Sequence, residues 1–391
     1  MRKSVLILAA IWLGGAQAAD KQVISLTHEC PPSFELVEDG TCALRTLYDL
    51  YDSPDGHGGF KAKLPSTKLD RRFTPQQIDL GRYLFFDPIL STNKDMACAS
   101  CHQPNNGLAD GHGQSLGAMH GDGSRAQLTR GAPTLWNVAY LKRLMLDGRF
   151  DNLIQQAGGP LFAPDEMGND PKRLVSDVTG SSDYLRLFDE AFGQKPSVEN
   201  ISTALAAFES SLVSFNSRYD RYVHGQHDAL SEQEVRGYNT FRGFVARCSQ
   251  CHIPPLFTDS ELAVIGSPNA KGQPFDKGAG AFSTDKAMLG AYRVPTLRNI
   301  SRTAPYFHAG QFKTLEDTAA FYNDTRGHAA PAGVDLKIHW HVHMTDGPKL
   351  SDKDVEAIAA FLMALEDETM LPPIPAQVPS GLRPTTTFSS E

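Results

Sequence analysis

The string CASCH occupies residues 98–102 of the chain, and CSQCH occupies residues 248–252. Both follow the pattern C-x-x-C-H, in which two thiols add across the vinyl groups of a c-type haem and the histidine binds its iron. A zinc site would need four ligands, and a redox dithiol has no use for a histidine directly after its second cysteine. We therefore predict two covalently bound haems, attached through Cys98, Cys101 and His102 in the first string and Cys248, Cys251 and His252 in the second.

Length and charge bound the organisation of the chain. It has 391 residues, and its two haem motifs stand about 150 residues apart, so we expect two domains, at residues 74–225 and 226–370. Helical periodicity is the dominant pattern, and the predicted fold class is mainly α. The net charge of −8 makes nucleic acid and anionic lipid poor partners.

Residues 1–19 have the pattern of a secretory signal peptide. A basic start precedes an apolar stretch from Val5 to Leu13, and small residues at Ala16 and Ala18 form a cleavage site. This stretch is too short to span a membrane, and no later segment reaches that length. We expect a periplasmic protein, a location that also suits haem attachment outside the cytoplasm.

Helix starts are marked by capping residues. Thr74, followed by proline and then by glutamine three residues on, predicts a helix N-terminus. Capping boxes at Ser231 and Ser351 predict two later helices, the first continuing through Val245 into the second haem motif. Apolar residues at three- and four-residue intervals across 198–212 predict another amphipathic helix.

The remaining segments read as irregular. Residues 20–73 are expected to form an arm pinned by a disulfide between Cys30 and Cys42, which stabilises it by about 3 kcal/mol; a redox-active pair is the alternative, but the spacing is not C-x-x-C. Residues 103–130 are expected to form a loop beside the haem, and the proline-rich residues 371–391 a disordered tail. No repeat is identified beyond the two haem strings.

Five further strings stand in a characteristic order: LFFDP at 84–88, APT at 132–134, DGR at 147–149, RVPTLRN at 293–299 and TAPYFH at 303–308. With the haem motifs, they resemble the bacterial dihaem cytochrome c peroxidase and MauG superfamily from about residue 74 to 366. The resemblance implies two cytochrome c-like domains facing one another, with a calcium ion between them. It also implies that the N-terminal haem reacts with hydrogen peroxide and the C-terminal haem carries electrons.

Splitting hydrogen peroxide requires a proton to move from the inner to the outer oxygen, so a polar side chain must sit above the open iron. By the resemblance, Glu166 is the acid–base residue and Gln156 its partner, with Pro160 in the loop that shapes the pocket. Without the family, Glu166 would read as a solvated loop acid. The resemblance also suggests His120, in the glycine-rich loop, as the family's gating histidine, although the loop length differs.

The second haem decides the branch of the family. Fourteen residues after His308, where the peroxidases place an axial methionine, this chain has Tyr322. A tyrosine oxygen is a hard donor that favours ferric and higher oxidation states, which suits MauG-like enzymes that spread oxidising equivalents over both haems. In the alternative reading, Tyr322 is a packed aromatic and Met344 is the ligand.

Leu146 departs from the family, which usually has tryptophan there as an electron relay between the haems. Trp136, Phe150 or Trp340 are possible substitutes, although each reads more simply as ordinary packing or surface.

Two metal sites are considered besides the haem irons. The resemblance implies calcium bound by the backbone carbonyls of Thr303 and Pro305, although Gly131 replaces the family's asparagine ligand. On a strand, the alternating histidines of the HWHVHM string would point one way and could bind copper, zinc or a partner, or form a solvated edge; they are His339, His341 and His343.

Three functions follow, from different classes. The first is a MauG-like enzyme that uses peroxide to oxidise Trp or Tyr side chains of a specific exported protein. The second is a cytochrome c peroxidase supplied by a small cytochrome or cupredoxin. The third is a non-enzymatic electron carrier, which would have no need of an acid–base pair beside an open iron. The sequence favours the first.

Overall fold

Helices and short loops make up most of the computed structural model, which describes residues 23–46, 48, 64, 67, 69, 71–324, 333–334, 349–367 and 371–388. The helices are α1 (Pro75–Phe86), α2 (Cys98–Cys101), α3 (Leu153–Phe162), α4 (Pro171–Thr179), α5 (Ser182–Phe192), α6 (Val198–Ser210), α7 (Arg218–Val223), α8 (Glu232–Arg242), α9 (Leu315–Phe321) and α10 (Asp352–Met363). Three antiparallel two-stranded sheets pair β1 (Phe34–Leu36) with β2 (Cys42–Leu44), β3 (Leu116–Met119) with β4 (Arg125–Gln127), and β5 (Leu262–Ala263) with β6 (Tyr292–Arg293). The prediction of a mainly α fold is confirmed, and none of the described helices is long and apolar enough to cross a membrane.

The predicted caps form as expected, because each satisfies backbone groups that the first helical turn leaves unpaired. Thr74 accepts from the backbone of Gln77, whose side chain accepts from the backbone of Thr74. Ser231 and Ser351 make the same reciprocal bonds at α8 and α10. The expected continuation of α8 through Val245 is wrong, since the helix ends at Arg242 and Val245 is 46% exposed.

Each haem motif lies in a half built around one pair of helices; residues 71–216 are the first half and residues 217–367 the second half. In the first half, α1 crosses α6 so closely that a Cβ on Gly81 would lie 1.8 Å from Ala204 O. In the second half, α8 crosses α10 in the same way, and a Cβ on Gly237 would lie 1.8 Å from Ala357 O. Only glycine permits such an approach of one helix to the backbone of another.

The two halves repeat each other beyond these helices. The string P-T-L-x-N occurs at 133–137 and 295–299, and its threonine donates to a loop carbonyl both times: Thr134 to Gly107 O at 2.7 Å and Thr296 to Leu256 O at 2.6 Å. The expectation that nothing repeats except the haem strings was therefore wrong. The repeat is carried by backbone approaches at Gly81 and Gly237 and by the threonine bonds, which helical periodicity does not reveal.

The N-terminal arm touches both halves. Its Cys30–Cys42 disulfide is present, as predicted. It links the segment before β1 to the first residue of β2, and the composition did not reveal this β1–β2 hairpin. Leu26 is buried in the core of the first half, whereas Tyr48 donates to Asp220 of the second half at 2.7 Å. Likewise, the expected loop at 103–130 contains the β3–β4 hairpin.

The prediction of a disordered tail is wrong for residues 371–388. Val378 is 1% exposed in the core of the first half, and Ser380 Oγ donates to Asp87 Oδ1 at 2.7 Å. The backbone of Thr385 donates to Phe86 O at 2.9 Å. The prolines of this segment fit an extended strap across the first half, held by side chains that a composition argument does not weigh.

Candidate haem sites and active site

A cavity of about 460 Å³ in the first half is lined by Cys98, Cys101 and His102, within the range of volumes typical of cofactor sites. His102 Nδ1 lies 3.0 Å from Leu108 O, a carbonyl that can only accept, so Nδ1 carries the proton and Nε2 is free to bind a metal. Burial lowers the pKa of His102 and keeps it neutral. Two thiols and an oriented imidazole in one cavity fit a covalent haem.

The second motif presents the same donor set. His252 Nδ1 lies 3.0 Å from Phe257 O and 3.1 Å from Pro295 O, which selects the same tautomer as in the first half. Burial also lowers the pKa of His252. The residues of both motifs therefore fit the haems that the sequence predicts.

The structure brings Glu166 and Gln156 into the wall of the first cavity, together with Pro160. Glu166 follows α3, and its backbone donates to Ala163 O at 3.0 Å. Burial raises the pKa of Glu166, although the nearby charge of Arg149 opposes this. A carboxyl group with a raised pKa can exchange protons closer to neutral pH than an exposed one.

Gln156 lies on α3, where its Nε2 donates to Met145 Sδ at 3.4 Å. A thioether is a weak acceptor, so this bond leaves the amide available to a stronger acceptor in the cavity. The positions of Glu166 and Gln156 agree with their predicted roles, and the roles themselves stay predictions.

Tyr322 directly follows α9 and lies beside the second haem motif. Burial, with added contributions from the charges of Cys248 and Cys251, raises its pKa. Its ring lies 6.4 Å from that of Phe307, centroid to centroid. The place suits a ligand to the second haem; Met344, the alternative ligand, lies outside the described residues.

The internal repeat relates Tyr322 to Pro160. Helix α3 begins at Leu153 and α9 at Leu315, and the seventh residue after each of these starts is Pro160 and Tyr322, respectively. The turns that precede the two helices close with the same bond, from Leu144 N to Phe150 O and from Tyr306 N to Phe312 O, both at 2.7 Å. Tyr322 of the second half has a phenol oxygen that can bind a metal, whereas the side chain of Pro160 in the first half has no such atom.

An ion-pair cluster that the sequence did not predict joins the halves at the cavity. Arg130 pairs with Asp147 at 2.6 Å and with Asp276 of the second half, also at 2.6 Å. Arg149 pairs with Asp147 at 2.5 Å. Asp147 and Arg149 belong to a recognised string, but Asp276 comes from a polar loop with no distinguishing pattern.

Glu209 is a second acid in the cavity wall that the sequence did not single out. It is 7% exposed, and its Oε2 has no hydrogen-bond partner among the described residues. Burial raises its pKa to about 8. The available signal was a glutamate on the apolar face of α6, next to Phe208.

The other predicted residues are scattered. Leu146 lines the cavity, and Trp136 is 2% exposed in the core of the first half. A Cβ on Gly159 would lie 3.4 Å from the ring of Phe150. His120 is exposed beside the β3–β4 turn. Trp340, His339, His341 and His343 lie outside the described residues.

The proposed calcium ligands lie where the halves meet. A Cβ on Gly107 would come within 2.9 Å of Thr303 Cγ2, and Gly131 N donates to His308 O at 2.9 Å. Within the described part of the chain, no group of three His, Cys, Asp or Glu side chains could hold a metal. Backbone ligands such as the carbonyls of Thr303 and Pro305 would not form such a group, so calcium stays a prediction.

Comparison with known proteins identifies the same family that the sequence motifs resemble. The family described as di-haem cytochrome c peroxidase matches residues 75–228. The chain is 36% identical over 256 residues to the methylamine utilization protein MauG of Methylophilus methylotrophus, covering 65% of this chain and 74% of that protein. It is 32% identical over 320 residues to the cytochrome c551 peroxidase of Pseudomonas aeruginosa, covering 79% of this chain and 85% of the relative.

Among solved structures, the chain is similar to a MauG-like protein associated with microbial copper homeostasis. The TM-score is 0.69 and the sequence identity 29%, and the match covers 82% of this chain and 97% of that one.

Proposed function

The chain belongs to the dihaem cytochrome c peroxidase and MauG family and is a dihaem peroxidase-type oxidoreductase, and from this premise we propose a MauG-like activity for it. Hydrogen peroxide reacts at the first haem, and both haems take part in oxidising Trp or Tyr side chains of a specific exported protein. The cytochrome c-like halves face one another across the cluster formed by Arg130, Asp147 and Asp276. The disulfide between Cys30 and Cys42 supports an oxidising compartment, and we place the protein in the periplasm.

At the first site, Cys98, Cys101 and His102 would hold a haem, and its iron would supply the reaction with peroxide. Glu166 accepts the proton of the inner peroxide oxygen and returns it to the outer one, which leaves as water. The amide of Gln156 orients the peroxide by hydrogen bonding, and Pro160 adds no side-chain donor atom to the cavity wall. Each peroxide is reduced to two waters by two electrons and two protons, and the electrons come from the partner's aromatic side chains.

At the second site, Tyr322 carries the choice between the two branches of the family. Burial raises the pKa of its phenol, and a ferric iron would offset that effect and favour the phenolate as ligand. A hard oxygen ligand holds the second haem in oxidised states, so it shares oxidising equivalents rather than accepting electrons from a donor cytochrome. The position of Tyr322 beside Cys248 and Cys251 is the observation that supports this reading.

The second candidate is a cytochrome c peroxidase that reduces peroxide with electrons from a small cytochrome or cupredoxin. Leu146 weakens the first candidate without supporting this one, because the usual relay tryptophan of the family is missing at this position in the cavity wall. The similarity to the cytochrome c551 peroxidase extends over 85% of that protein. This candidate needs an easily reduced second haem.

Replacing the ligand tests the proposal. Tyr322→Met should raise the reduction potential of the second haem and abolish oxidation of the partner, while the first haem still reacts with peroxide. The measurements are optical and EPR spectra of both haems, with and without peroxide, and oxidation of aromatic side chains in a candidate exported protein chosen from a neighbouring reading frame. Tyr222→Met, which replaces a tyrosine in edge-to-face contact with Tyr238 and outside both haem motifs, is the control.

Two results would contradict the proposal. One is unchanged partner oxidation by the Tyr322→Met variant. The other is a wild-type spectrum in which the second haem has a methionine ligand, which would favour the peroxidase.

A further inference from the structure

Arg293 is a residue of the second half that lines the haem cavity of the first. It ends strand β6, is 4% exposed, and donates its backbone N–H to Leu146 O at 2.8 Å. That bond fixes the strand of the second half against the cavity wall of the first.

The guanidinium group of Arg293 lacks the partner that a buried cation needs. Nε donates to Met145 O at 3.2 Å and Nη1 to Val294 O at 3.3 Å, but no carboxylate pairs with it among the described residues. Burial alone lowers its pKa to about 10. An uncompensated buried charge is strongly unfavourable, so such an arginine is expected to meet an anion.

The other arginines of the cavity are already paired. Arg130 binds both Asp147 and Asp276, and Arg149 binds Asp147. Arg293 is therefore the cavity arginine, within the described ranges, whose charge remains for a ligand.

The internal repeat argues against a purely structural role. Arg293 stands three residues before Thr296, and Gly131 stands three residues before Thr134 in the equivalent string of the first half. The first half builds the same turn without any side chain at this position. The guanidinium group is thus a feature of this cavity and not a requirement of the turn.

We propose that Arg293 binds a propionate carboxylate of the first haem, so that the first haem is held by both halves of the molecule. A planar guanidinium group matches a carboxylate in two parallel hydrogen bonds, which lysine cannot reproduce. The proposal rests on the premise that the first haem occupies this cavity, and it goes beyond the proposed function by making that haem site incomplete without the second half.

The same strand leads to the second haem. Two residues beyond Arg293, the carbonyl of Pro295 lies 3.1 Å from Nδ1 of the iron-binding His252. An arginine anchored on the edge of the first haem is thus connected by a short stretch of backbone to the group that orients the axial histidine of the second.

Reduction potentials test the proposal on the full two-haem protein. In Arg293→Leu, the first haem loses a compensating positive charge, so its ferric form is favoured and the ratio of oxidised to reduced first haem rises about tenfold at a fixed potential. For the second haem, the ratio of oxidised to reduced haem at the same potential should stay within about twofold of the wild-type ratio. Arg293→Lys, which keeps the charge, should lie between the wild type and Arg293→Leu.

The measurement is a spectroelectrochemical titration, in which the open first haem and the ligated second haem are told apart by spin state. Arg236→Leu removes a 51%-exposed arginine of the second half and is the control, with no change expected in either haem. If Arg293→Leu does not accumulate with two haems, Arg293→Gln replaces it in the same comparison with Arg293→Lys.

The proposal is overturned if the first haem keeps its wild-type potential when the charge is removed. It is also overturned if the lysine and neutral variants shift it equally, or if the second haem shifts as much as the first. No peroxide or partner is used, so this outcome does not depend on whether the proposed enzymatic activity is correct.

Discussion

The two halves share one plan and differ at a few positions that face their haem motifs. The seventh residue after the start of the helix that follows the P-T-L-x-N string is Pro160 in the first half and Tyr322 in the second. Directly after the phenylalanines Phe208 and Phe361, on the long helices α6 and α10, the first half has Glu209 and the second has Leu362. Single side-chain differences at equivalent positions can therefore give two halves with a similar backbone different haem surroundings.

At these two positions, the side chains of the two halves differ in metal-binding and acid–base capacity. Proline has no atom that can bind iron, whereas tyrosine has a ligand oxygen. A buried glutamate adds a titratable group to the first cavity, and a leucine adds none to the second half. We infer that the first half is arranged for proton chemistry at an open iron and the second for holding a closed one.

The largest effect should come from making the first half resemble the second. In Pro160→Tyr, a phenol at the position equivalent to Tyr322 should ligate the first iron and slow its reaction with peroxide by about 10⁴-fold. Stopped-flow absorbance would give the rate, and a low-spin EPR signal of the first haem would show the new ligand. Pro171→Tyr, at an exposed proline that begins α4, should have no effect. A high-spin first haem with the wild-type rate would contradict the equivalence of Pro160 and Tyr322.

A smaller effect is expected when the acid–base residue is removed and the iron is left open. Glu166→Gln should slow the peroxide reaction by about 10²–10³-fold, because no carboxylate then transfers the proton between the two peroxide oxygens. An exposed glutamate outside the cavity wall provides the control, and Glu199→Gln should keep the wild-type rate.

The pH dependence of the peroxide reaction rate tests the role of Glu166 in a second way. Glu166 must be ionised to accept a proton, and burial raises its pKa above the ordinary value of 4.5. The wild-type rate should therefore fall as the pH drops through that raised pKa, and the Glu166→Gln rate should lack this step. An identical acid limb in both proteins would remove Glu166 from the mechanism.

The smallest effect concerns the shared scaffold. Gly81→Ala and Gly237→Ala each force a Cβ to within 1.8 Å of a carbonyl oxygen on the facing helix, and each should lower the free energy of unfolding by about 1–3 kcal/mol. Thermal unfolding followed at each haem should show the loss mainly in the half that carries the substitution. Gly121→Ala, where a Cβ meets nothing within 4 Å, is the control. Equal losses at both haems would show that the halves unfold as one unit.

The sequence predicted those features that depend on neighbouring residues. The caps at Thr74, Ser231 and Ser351 need only partners three residues away, and the pairing of Cys30 with Cys42 needs only their spacing and an oxidising environment. The positions of Glu166 and Tyr322 came from the family resemblance and not from local pattern.

Contacts between distant parts of the chain escaped prediction. Arg130 and Asp276 carry ordinary charges in polar loops, and nothing in their surroundings indicates that they meet at 2.6 Å. The repeat of the halves was missed because its helix crossings depend on Gly81 and Gly237, where the absent side chain is the signal.

The strap of residues 371–388 has a consequence for how the molecule is made. Val378 packs in the core of the half that contains the first haem motif, although it follows the whole of the second half in the chain. The ribosome therefore delivers the beginning of this core some 300 residues before its end. The half that contains the first haem motif therefore cannot complete its core until the second half has been synthesised, and a chain truncated before residue 371 would lack Val378 in that core.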